Sequence, residues 1–487
     1  MPDDKIEVKE KSEYVWEIPK KGAMNVPGRI YGDRQIITAV EQEAAQNQSW
    51  NALSQIRNVA CLPGIQKYSL ALADVHCGYG APIGGVVAMD IEEGVITFGA
   101  VGFDINCGVR TLSTPLKKDD ILKVQEKLAD ALFRKVPAGL GSTGDIRINS
   151  AEVDEVLVKG AGFSVEQGYG FRDDLEFIEE NGKMEGADPS AVSDKAKQRE
   201  HKQVGTLGSG NHYLEVQYVS EVYDEQAAGA YGLSEGQVLV SLHCGSRGLG
   251  HQIGTDYLKE LDAATRKYKI PIKDRELVCA PINSPEGQRY FSAVCAGING
   301  AFANRQAIAH LTRKAFTEVT GLGEKEMKTF YEVGHNTVKK ERHSIGGKKK
   351  EVLVHRKGST RGFGPGREEV PEKYRKIGQP ILVGGTMGTS SYVLAGTEKG
   401  MEETFGSAIH GAGRKMSRVK AIKSWKAEDI IKGLKDKGIT VKGHGFKGIA
   451  EEAPEAYKDV VSVVDVMHNA GIVKKVVQVK PLISIKG

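Results

Sequence analysis

Six side chains that could bind a metal or attack phosphorus lie in glycine-rich turns of this 487-residue chain. They are Asp104 and Cys107 in G-F-D-I-N-C-G, His212 in G-S-G-N-H-Y-L-E, His243 in H-C-G-S-R-G, His335 in V-G-H-N and His410 in H-G-A-G-R. Glycine lets the backbone adopt positive φ angles and approach a ligand closely. One carboxylate, one thiol and several imidazoles suit a transition metal better than magnesium, which prefers oxygen ligands. The pattern therefore predicts a metal centre that handles a phosphorylated substrate.

Each of these residues, taken alone, also has an ordinary structural explanation. Free cysteine is among the most buried residue types, and a single histidine could be hydrogen-bonded to backbone in a core. The recurrence of histidines in comparable turns favours metal ligands, with the Cys107 thiolate on one ion or bridging two. Thiolate and imidazole suit zinc at least as well as manganese, so the residue types do not identify the metal.

His410 differs from the other histidines because only small residues follow it. Gly411, Ala412 and Gly413 leave its imidazole accessible to a bulky partner. A neutral imidazole nitrogen can attack phosphorus and form a phosphoramidate, and Arg414 lies where its charge could neutralise a phosphate. We interpret His410 as a nucleophile, with a further metal ligand or a structural histidine as the alternatives.

Two further features are compatible with a phosphorylated ligand. If residues 211–216 are extended, Asn211, Tyr213 and Glu215 face one side of the strand and His212 faces the other. The loop V-G-G-T-M-G-T-S-S-Y over 383–392 resembles an anion-binding backbone nest, although it lacks the G-K-[ST] of a Walker A loop. Arg247 could hold a phosphate or be an ordinary exposed loop arginine.

The elements that must position these residues are strands and helices in mixed order. We predict helices over 36–57, 118–135, 151–158 and 287–318, strands over 212–219 and 237–243, a strand-rich stretch over 67–115, a hairpin over 343–355, and two strands around a loop over 381–394. The charged stretch 164–204 is predicted to be helical and exposed, as an insertion or lid. Because the candidate ligands span residues 104–410, one site must draw on most of the chain. This favours a single large intertwined catalytic domain over 1–487, of α+β class, with a strand-rich core, glycine-rich site loops and peripheral helices.

Composition places the chain among ordinary globular proteins, with 40% hydrophobic and 27% charged residues and a net charge of +4. The six cysteines form no C-x-x-C pair, which argues against a zinc ribbon. We find no membrane span, and the charged residues 1–11 lack a signal core, so we predict a cytoplasmic protein with reduced thiols. Two basic segments, 339–350 and 414–426, could follow an RNA backbone or be solvated faces.

Seven motifs resemble, in order, those of the RtcB-type tRNA-splicing RNA ligases. They are D-V-H-C-G-Y-G-A-P-I-G-G-V, G-A-V-G-F-D-I-N-C-G-V-R, G-S-G-N-H-Y-L-E-V, S-R-G-L-G-H-Q, V-H-R-K-G-S-T-R, G-T-M-G-T-S-S-Y-V-L and H-G-A-G-R. The resemblance runs from about residue 30 to the C-terminus. It implies a GTP- and manganese-dependent ligase that joins an RNA 2′,3′-cyclic phosphate or 3′-phosphate end to a 5′-hydroxyl end, in tRNA splicing and RNA repair.

The resemblance also implies roles for individual residues. Two manganese ions would be bound by Asp104, Cys107, His212, His243 and His335, with Cys107 as the bridge, and His410 would take GMP from GTP. The nucleotide would be held by Asn211, His212, Tyr213, Leu214, Glu215, His335, Asn336, Gly384, Gly385, Thr386, Met387, Ser391, His410, Gly411, Ala412, Gly413, Tyr457 and Lys486. The implied partners are RNA, such as cleaved tRNA halves, and a helper protein, archease.

Guanine chemistry is compatible with two of these residues. Glu215 could accept hydrogen bonds from guanine N1–H and N2–H₂, and Lys486 could donate to O6 and N7. Adenine would leave both groups mispaired, and such mismatches are costly when buried.

Two other functions use the same residues. A dinuclear metal phosphodiesterase or phosphatase would need the same ligands, but it leaves the accessible histidine of H-G-A-G-R unexplained. A non-catalytic RNA-binding protein would use the metal for structure, yet structural sites normally fill every coordination position with protein ligands. Five ligands around two ions would leave positions open, which argues against that function.

Overall fold

The computed structural model describes residues 6–48, 50–139, 141–144, 146–443 and 445–487, so that residues 1–5 of the charged N-terminus lie outside the described residues. The strands are β1 Lys9–Ser12, β2 Val15–Ile18, β3 Gly28–Tyr31, β4 Ser69–His76, β5 Ile83–Asp90, β6 Val95–Thr97, β7 Gly108–Lys117, β8 Tyr213–Val222, β9 Gln237–Cys244, β10 Cys279–Pro281, β11 Lys328–Gly334, β12 Asn336–Ile345, β13 Lys348–Lys357, β14 Ser359–Arg361, β15 Pro380–Val383, β16 Ser391–Gly396, β17 Ser407–Ile409, β18 Thr440–Gly443 and β19 Val473–Lys486. The α-helices are α1 Arg34–Gln46, α2 Ala52–Val59, α3 Lys118–Leu122, α4 Gln125–Lys135, α5 Ser150–Lys159, α6 Ala161–Glu166, α7 Asp194–Glu200, α8 Glu225–Tyr231, α9 Arg247–Lys267, α10 Pro285–Thr320, α11 Glu398–Thr404, α12 Arg418–Ser424, α13 Ala427–Asp436, α14 Phe446–Glu451 and α15 Val460–Asn469.

Two large sheets organise these elements. The first has the strand order β1-β2-β3-β4-β5-β13-β12, and the second has the order β11-β7-β9-β8-β19-β16-β15. Pairing is antiparallel except between β3 and β4 and between β18 and β19. The mixture of mainly antiparallel sheets with flanking helices confirms the predicted α+β class. The extent of one catalytic domain over 1–487 stays a prediction.

The long helix α10 lies against the second sheet and carries much of the core. Ser284 caps its start by accepting a hydrogen bond from a first-turn backbone N–H, and Gly321 ends it with a φ of 76°. At Gly297 a Cβ atom would lie 3.1 Å from a methyl group of Ile105. The helix predicted over 287–318 is therefore confirmed. Gly297 lets the loop that carries Ile105 pack closely against it.

Two predicted helices are each interrupted. The helix predicted over 36–57 is two helices, because Asn51 caps the second by accepting from the Ser54 N–H at 2.8 Å. The helix predicted over 118–135 is also divided, since Val124 has non-helical backbone angles between α3 and α4. Asparagine competes with helix geometry through its own side chain, which the apolar periodicity does not record.

The segment 164–204 differs most from its prediction. Only α7 is a complete α-helix within it, and much of the remainder consists of short 3₁₀ turns. Its charged residues are not all exposed: Asp174 is buried and accepts from both terminal nitrogens of Arg313, at 2.6 and 2.8 Å. The prediction of a helical and exposed segment is therefore only partly correct, and its movement as a lid stays a prediction.

The strand predictions around the candidate site are confirmed. Residues 212–219 lie at and within β8, and 237–243 lie within β9. The hairpin over 343–355 turns at Gly346 and Gly347, which both have positive φ angles of 58° and 76°. All six cysteines are free. No helix in the described part of the chain is both long and apolar enough to cross a membrane.

Candidate metal and nucleotide site

The strand order of the second sheet brings the predicted metal ligands together. Strands β11, β7, β9 and β8 are consecutive neighbours. Val109 of β7 pairs with His243 of β9, which pairs in turn with Tyr213 of β8. Gly334 at the end of β11 pairs with Gly108 at the start of β7. The turns that carry the ligands therefore meet at one end of the sheet, although they are far apart in sequence.

Cys107 lies at the centre of the five predicted ligands. Its Sγ is 3.2 Å from His243 Nε2 and 3.4 Å from His212 Nε2. His243 Nε2 is 3.1 Å from His335 Nε2, and His212 Nε2 is 2.8 Å from Asp104 Oδ2. The ligand atoms form two groups that share Cys107, one with His243 and His335 and the other with Asp104 and His212. This arrangement fits two ions that share one thiolate.

Backbone carbonyls set the tautomer of two of these imidazoles. His212 Nδ1 is 3.0 Å from the Leu207 carbonyl oxygen, and His243 Nδ1 is 3.1 Å from that of Asn211. Because a carbonyl only accepts, each Nδ1 carries a proton, and Nε2 is the nitrogen of each ring that faces the cluster. Burial lowers the pKa of His243 and of His335 well below the usual value. Both are therefore neutral, the form that binds metals.

The two anionic ligands respond differently to their surroundings. Burial raises the pKa of the Cys107 thiol well above its usual value, and the neighbouring Asp104 adds to this. Burial also opposes ionisation of Asp104, but the His212 imidazole outweighs it and holds the pKa of that carboxyl below its usual value. A divalent cation would favour the Cys107 thiolate directly. The donor set therefore fits a metal that accepts sulfur and nitrogen, and manganese and zinc are both compatible.

The loops that carry Asp104, Cys107 and His335 are fastened to one another. The His335 N–H donates to the Cys107 carbonyl oxygen at 2.7 Å, and Asn336 Nδ2 donates to the Asp104 carbonyl oxygen at 3.0 Å. Asn106, between the two ligands, has a φ of 54°, a left-handed conformation that asparagine tolerates better than most residues. The predicted metal ligands Asp104, Cys107 and His335 are thus held as one unit.

Arg305 of α10 supports the same loops from the core side and was missed by the sequence reasoning. Its Nη1 donates to the carbonyl oxygens of Asn106 and Cys244, at 2.6 and 2.7 Å, and its Nε donates to Glu332 at 2.7 Å. Arg305 and Glu332 are both fully buried. An arginine within an apolar helical pattern gives no sign in the sequence of what it contacts.

His410 follows β17, and a buried carboxylate orients its ring. Its Nδ1 is 2.6 Å from Asp74 Oδ2, which also accepts from the His410 backbone N–H at 3.1 Å. The His410 ring centroid lies 4.8 Å from that of His335. Because Nδ1 is engaged, Nε2 is the nitrogen available for chemistry. In the sequence Asp74 is one residue of an apolar strand pattern, and nothing local links β4 to residue 410, so its role could not be predicted.

A cavity of about 240 Å³ lies between His410 and the metal ligands. The predicted nucleotide contacts that line it are Asn211, Tyr213, Glu215, His335, Asn336, Gly384, Gly385, Thr386, Met387, His410, Gly411, Ala412, Gly413, Tyr457 and Lys486. The predicted alternation in the strand is present, with positions 211, 213 and 215 on the cavity side. The cavity therefore brings most of the predicted nucleotide contacts together.

Three predicted nucleotide contacts do not line this cavity. Leu214 is fully buried in the apolar core on the opposite face of β8. His212 turns toward the metal cluster instead. Ser391 accepts from the Gly385 N–H at 2.9 Å, so it supports the glycine-rich loop. The period of two along a strand explains why residues 212 and 214 face away from the cavity.

Glu215 and Lys486 are buried in the cavity wall. Pairing of β8 with β19 places Lys486 opposite Tyr213. Glu215 accepts from Gln217 Nε2 at 2.8 Å and from Ser484 Oγ at 3.1 Å. Burial raises the pKa of Glu215, and the positive charge of Lys486 partly offsets this effect. Burial lowers the pKa of Lys486, and the negative charge of Glu215 partly offsets that effect in turn. The two groups form an acceptor and a donor that are both shielded from bulk water.

Two arginines considered for phosphate binding have partners of their own. Arg414 Nη1 donates to the Tyr457 hydroxyl at 2.8 Å and to Glu452 at 3.1 Å, so its charge is already balanced at the cavity edge. Arg247 is half-buried, has a φ of 56°, and donates to Thr206 Oγ1 at 3.2 Å. Of the two alternatives considered for Arg247, the ordinary exposed loop arginine therefore does not describe its position.

Comparison with known proteins covers nearly the whole chain. The family model described as tRNA-splicing ligase RtcB matches residues 55–487. Proteins named tRNA-splicing ligase RtcB are 51% identical over 484 residues in Archaeoglobus fulgidus, covering 99% of both chains, and 52% identical over 475 residues in Thermococcus kodakarensis, covering 97% of both. Another of that name, from Methanococcus maripaludis, is 51% identical over 476 residues, covering 97% of this chain and 98% of its own. With the metal ligands, His410 and the cavity all inside the matched region, this chain belongs to the tRNA-splicing ligase RtcB family.

Proposed function

We propose that this protein is a GTP-dependent RNA ligase that joins a 2′,3′-cyclic phosphate or 3′-phosphate end to a 5′-hydroxyl end, in tRNA splicing and RNA repair. The observation that carries the proposal is the environment of His410. Its Nδ1 is held by Asp74 at 2.6 Å, and it lines a cavity shared with metal ligands and with the buried Glu215. A hydrolase would need the metal ligands alone. An oriented, accessible imidazole beside them favours transfer of a nucleotide through the histidine.

Asp104, Cys107, His212, His243 and His335 would hold two manganese ions. Ions bound there would neutralise phosphate oxygens and lower the pKa of water, which is the chemistry that opening a cyclic phosphate requires. The protein keeps His243 and His335 neutral by burial, and it fixes the His212 and His243 rings through backbone carbonyls.

His410 Nε2 would attack the α-phosphorus of GTP. A nitrogen–phosphorus bond forms, the bond to the β-phosphate oxygen breaks, and pyrophosphate leaves with the electron pair. Asp74 accepts the hydrogen bond from Nδ1–H, and its charge stabilises the positive imidazole that forms. An oxygen of the RNA 3′-phosphate would then displace His410 and take GMP. Finally the 5′-hydroxyl oxygen would attack that 3′-phosphorus, lose its proton, and release GMP.

The substrates of this reaction would be RNA ends, such as cleaved tRNA halves, together with GTP. A helper protein of the archease type would act with the ligase. We propose a cytoplasmic location, in keeping with six free thiols.

Covalent labelling tests this function directly. The wild-type protein, incubated with α-labelled GTP and manganese and then denatured, is expected to retain an acid-labile label. ATP is expected to give none, because adenine mispairs with Glu215 and Lys486 in the base pocket. GTP without divalent metal is also expected to give none, because no cation then neutralises the phosphate charge. Absence of label from a protein that still opens cyclic phosphates would favour the phosphodiesterase. Salt-sensitive RNA binding without any turnover would favour the non-catalytic RNA-binding protein.

Glu215→Gln is expected to weaken the preference for guanine. The neutral amide accepts hydrogen bonds less strongly than the carboxylate and offers a mismatched N–H₂, which costs about 1–3 kcal/mol, or roughly 5- to 150-fold in the kcat/KM of labelling with GTP. Inosine triphosphate, which lacks the N2 amino group, should react less well than GTP with the wild type and lose less on substitution. Equal loss for GTP and inosine triphosphate would contradict the assigned contact.

A further inference from the structure

A row of cations begins beside the cavity and continues along α12. The segment 414–426, R-K-M-S-R-V-K-A-I-K-S-W-K, contains six cations and no acidic residue. Arg418 lines the cavity that His410 also lines, and 54% of its side chain is exposed. Beyond it, the exposed α12 basic surface consists of Lys415, Lys420, Lys423 and Lys426.

The lysines of the α12 basic surface have no carboxylate partners in the described part of the chain. The ion pairs that this segment forms there are those of Arg414 and Arg418 with Glu452. Val419, between the lysines, is 63% exposed. Unpaired ammonium groups can bind phosphate without first breaking an ion pair, and an exposed aliphatic side chain among them can contact a sugar or base.

The other basic segment, 339–350, is placed differently relative to the cavity. Lys339 is buried and pairs with Glu179 at 2.9 Å. The exposed Lys348 and Lys349 lie at the far end of the β12–β13 hairpin. They are separated from Asn336, in the cavity wall, by the length of β12, about 30 Å at the usual rise of a strand. Of the two basic segments, only 414–426 continues from the cavity.

We propose that the α12 basic surface binds the sugar-phosphate backbone of the RNA strand whose 3′-phosphate enters the cavity. The inference rests on the proposed function, because it requires an RNA 3′-phosphate to reach His410. The residues after His410 form the cavity edge and lead directly into α12, which places Arg418 in the cavity lining and the lysines of this surface beyond it. Lys420 and Lys423 lie one helical turn apart, about 5–6 Å between Cβ atoms, and both point to solvent.

The test uses the full chain loaded with manganese, without GTP, and a fluorescent single-stranded RNA with phosphate at both ends. Lys420→Glu/Lys423→Glu is expected to weaken binding at least about 10-fold at low salt. Lys420→Gln/Lys423→Gln is expected to reduce the slope of log affinity against log salt by about 1.4, or about 0.7 for each lost phosphate contact. The matched control, Lys348→Glu/Lys349→Glu, makes the same charge change far from the cavity and should leave binding nearly unchanged.

Three results would overturn the inference. One is unchanged RNA affinity in both α12 variants, and another is an equal loss in the hairpin control, which would indicate net charge alone. The third is a loss of affinity only for an RNA with 5′- and 3′-hydroxyl ends. That result would assign the surface to the strand whose 5′-hydroxyl is joined. Thermal unfolding of each variant shows whether it is folded. If a double variant fails to fold, the single variants Lys420→Gln and Lys423→Gln are measured in its place.

Self-labelling with GTP separates this inference from the proposed function. Labelling needs no RNA, and neither Lys420 nor Lys423 lines the cavity, so the α12 variants should label like the wild type. A labelled variant with weakened binding of the 3′-phosphate strand supports the inference. Absence of label in the wild type would refute the proposed function, whereas normal label with unchanged RNA binding would refute the inference alone.

Discussion

Replacing His410 with alanine is expected to abolish covalent labelling by GTP and all joining of RNA ends. The substitution removes the nitrogen that would bond to phosphorus. His76 also lines the cavity, but its Nδ1 lies 2.9 Å from the Asp74 carbonyl oxygen and not against a carboxylate, so no charge is placed to stabilise a positive ring there. Metal binding should persist, because the five predicted ligands remain. The measurement is label per protein chain, with bound metal determined on the same sample. Residual labelling near the wild-type level would show that another residue is the nucleophile.

Asp74→Asn is expected to slow labelling without abolishing it. Asparagine keeps the shape of the side chain and an oxygen that can accept from His410 Nδ1–H, but it removes the negative charge that stabilises the developing imidazolium. Labelling is expected to slow by about 10²- to 10⁴-fold without a matching change in the KM for GTP. A purely structural role for Asp74 predicts lower thermal stability with a normal labelling rate per folded molecule, which would contradict our assignment.

Arg305→Met is expected to reduce both stability and metal affinity. It removes the hydrogen bonds that Arg305 donates to the Asn106 and Cys244 carbonyl oxygens and one partner of the buried Glu332, a loss of about 3–5 kcal/mol in the free energy of unfolding. Loosening the loops beside Cys107 and His243 should weaken manganese binding by about 10- to 100-fold, in the range for residues that support metal ligands. Chemical unfolding of the metal-free protein and calorimetric titration with manganese measure the two effects separately.

Arg313→Met is the matched control for that experiment. Arg313 lies on the same helix, is equally buried and pairs with Asp174, but its hydrogen bonds do not reach the ligand loops. It should lose stability and keep its manganese affinity. Equal loss of affinity in both variants would mean that general destabilisation, rather than support of the loops, explains the effect at Arg305.

The sequence predicted the parts of the site whose residues are chemically distinctive. Histidines, a cysteine and an aspartate in glycine-rich turns indicate candidate metal ligands, which the structure brings together, and strand alternation places Tyr213 and Glu215 on the cavity side. It could not indicate Asp74 or Arg305, because their importance comes from contacts with residues hundreds of positions away or in other elements.

Charge was the main source of error in predicting the fold. The acidic and basic residues of 164–204 were interpreted as a solvated surface, since isolated charges are rarely buried. In the structure Asp174 meets Arg313, and Glu179 meets Lys339, in the interior. Whether a charged residue is exposed depends on whether an opposite charge lies on a neighbouring element, and that pairing is absent from local composition.

The position of β19 has a consequence for the biosynthesis of the protein. This strand is the last among those described, yet it lies inside the second sheet between β8 and β16 and supplies Lys486 to the cavity wall. β8 and β16 can therefore be bridged, and the pocket completed, only after β19 has been synthesised. Pairing over such long sequence separations is intrinsically slow. Before β19 is synthesised, the edges of β8 and β16 that it covers are unpaired, and unpaired strand edges of this kind are what chaperones shield.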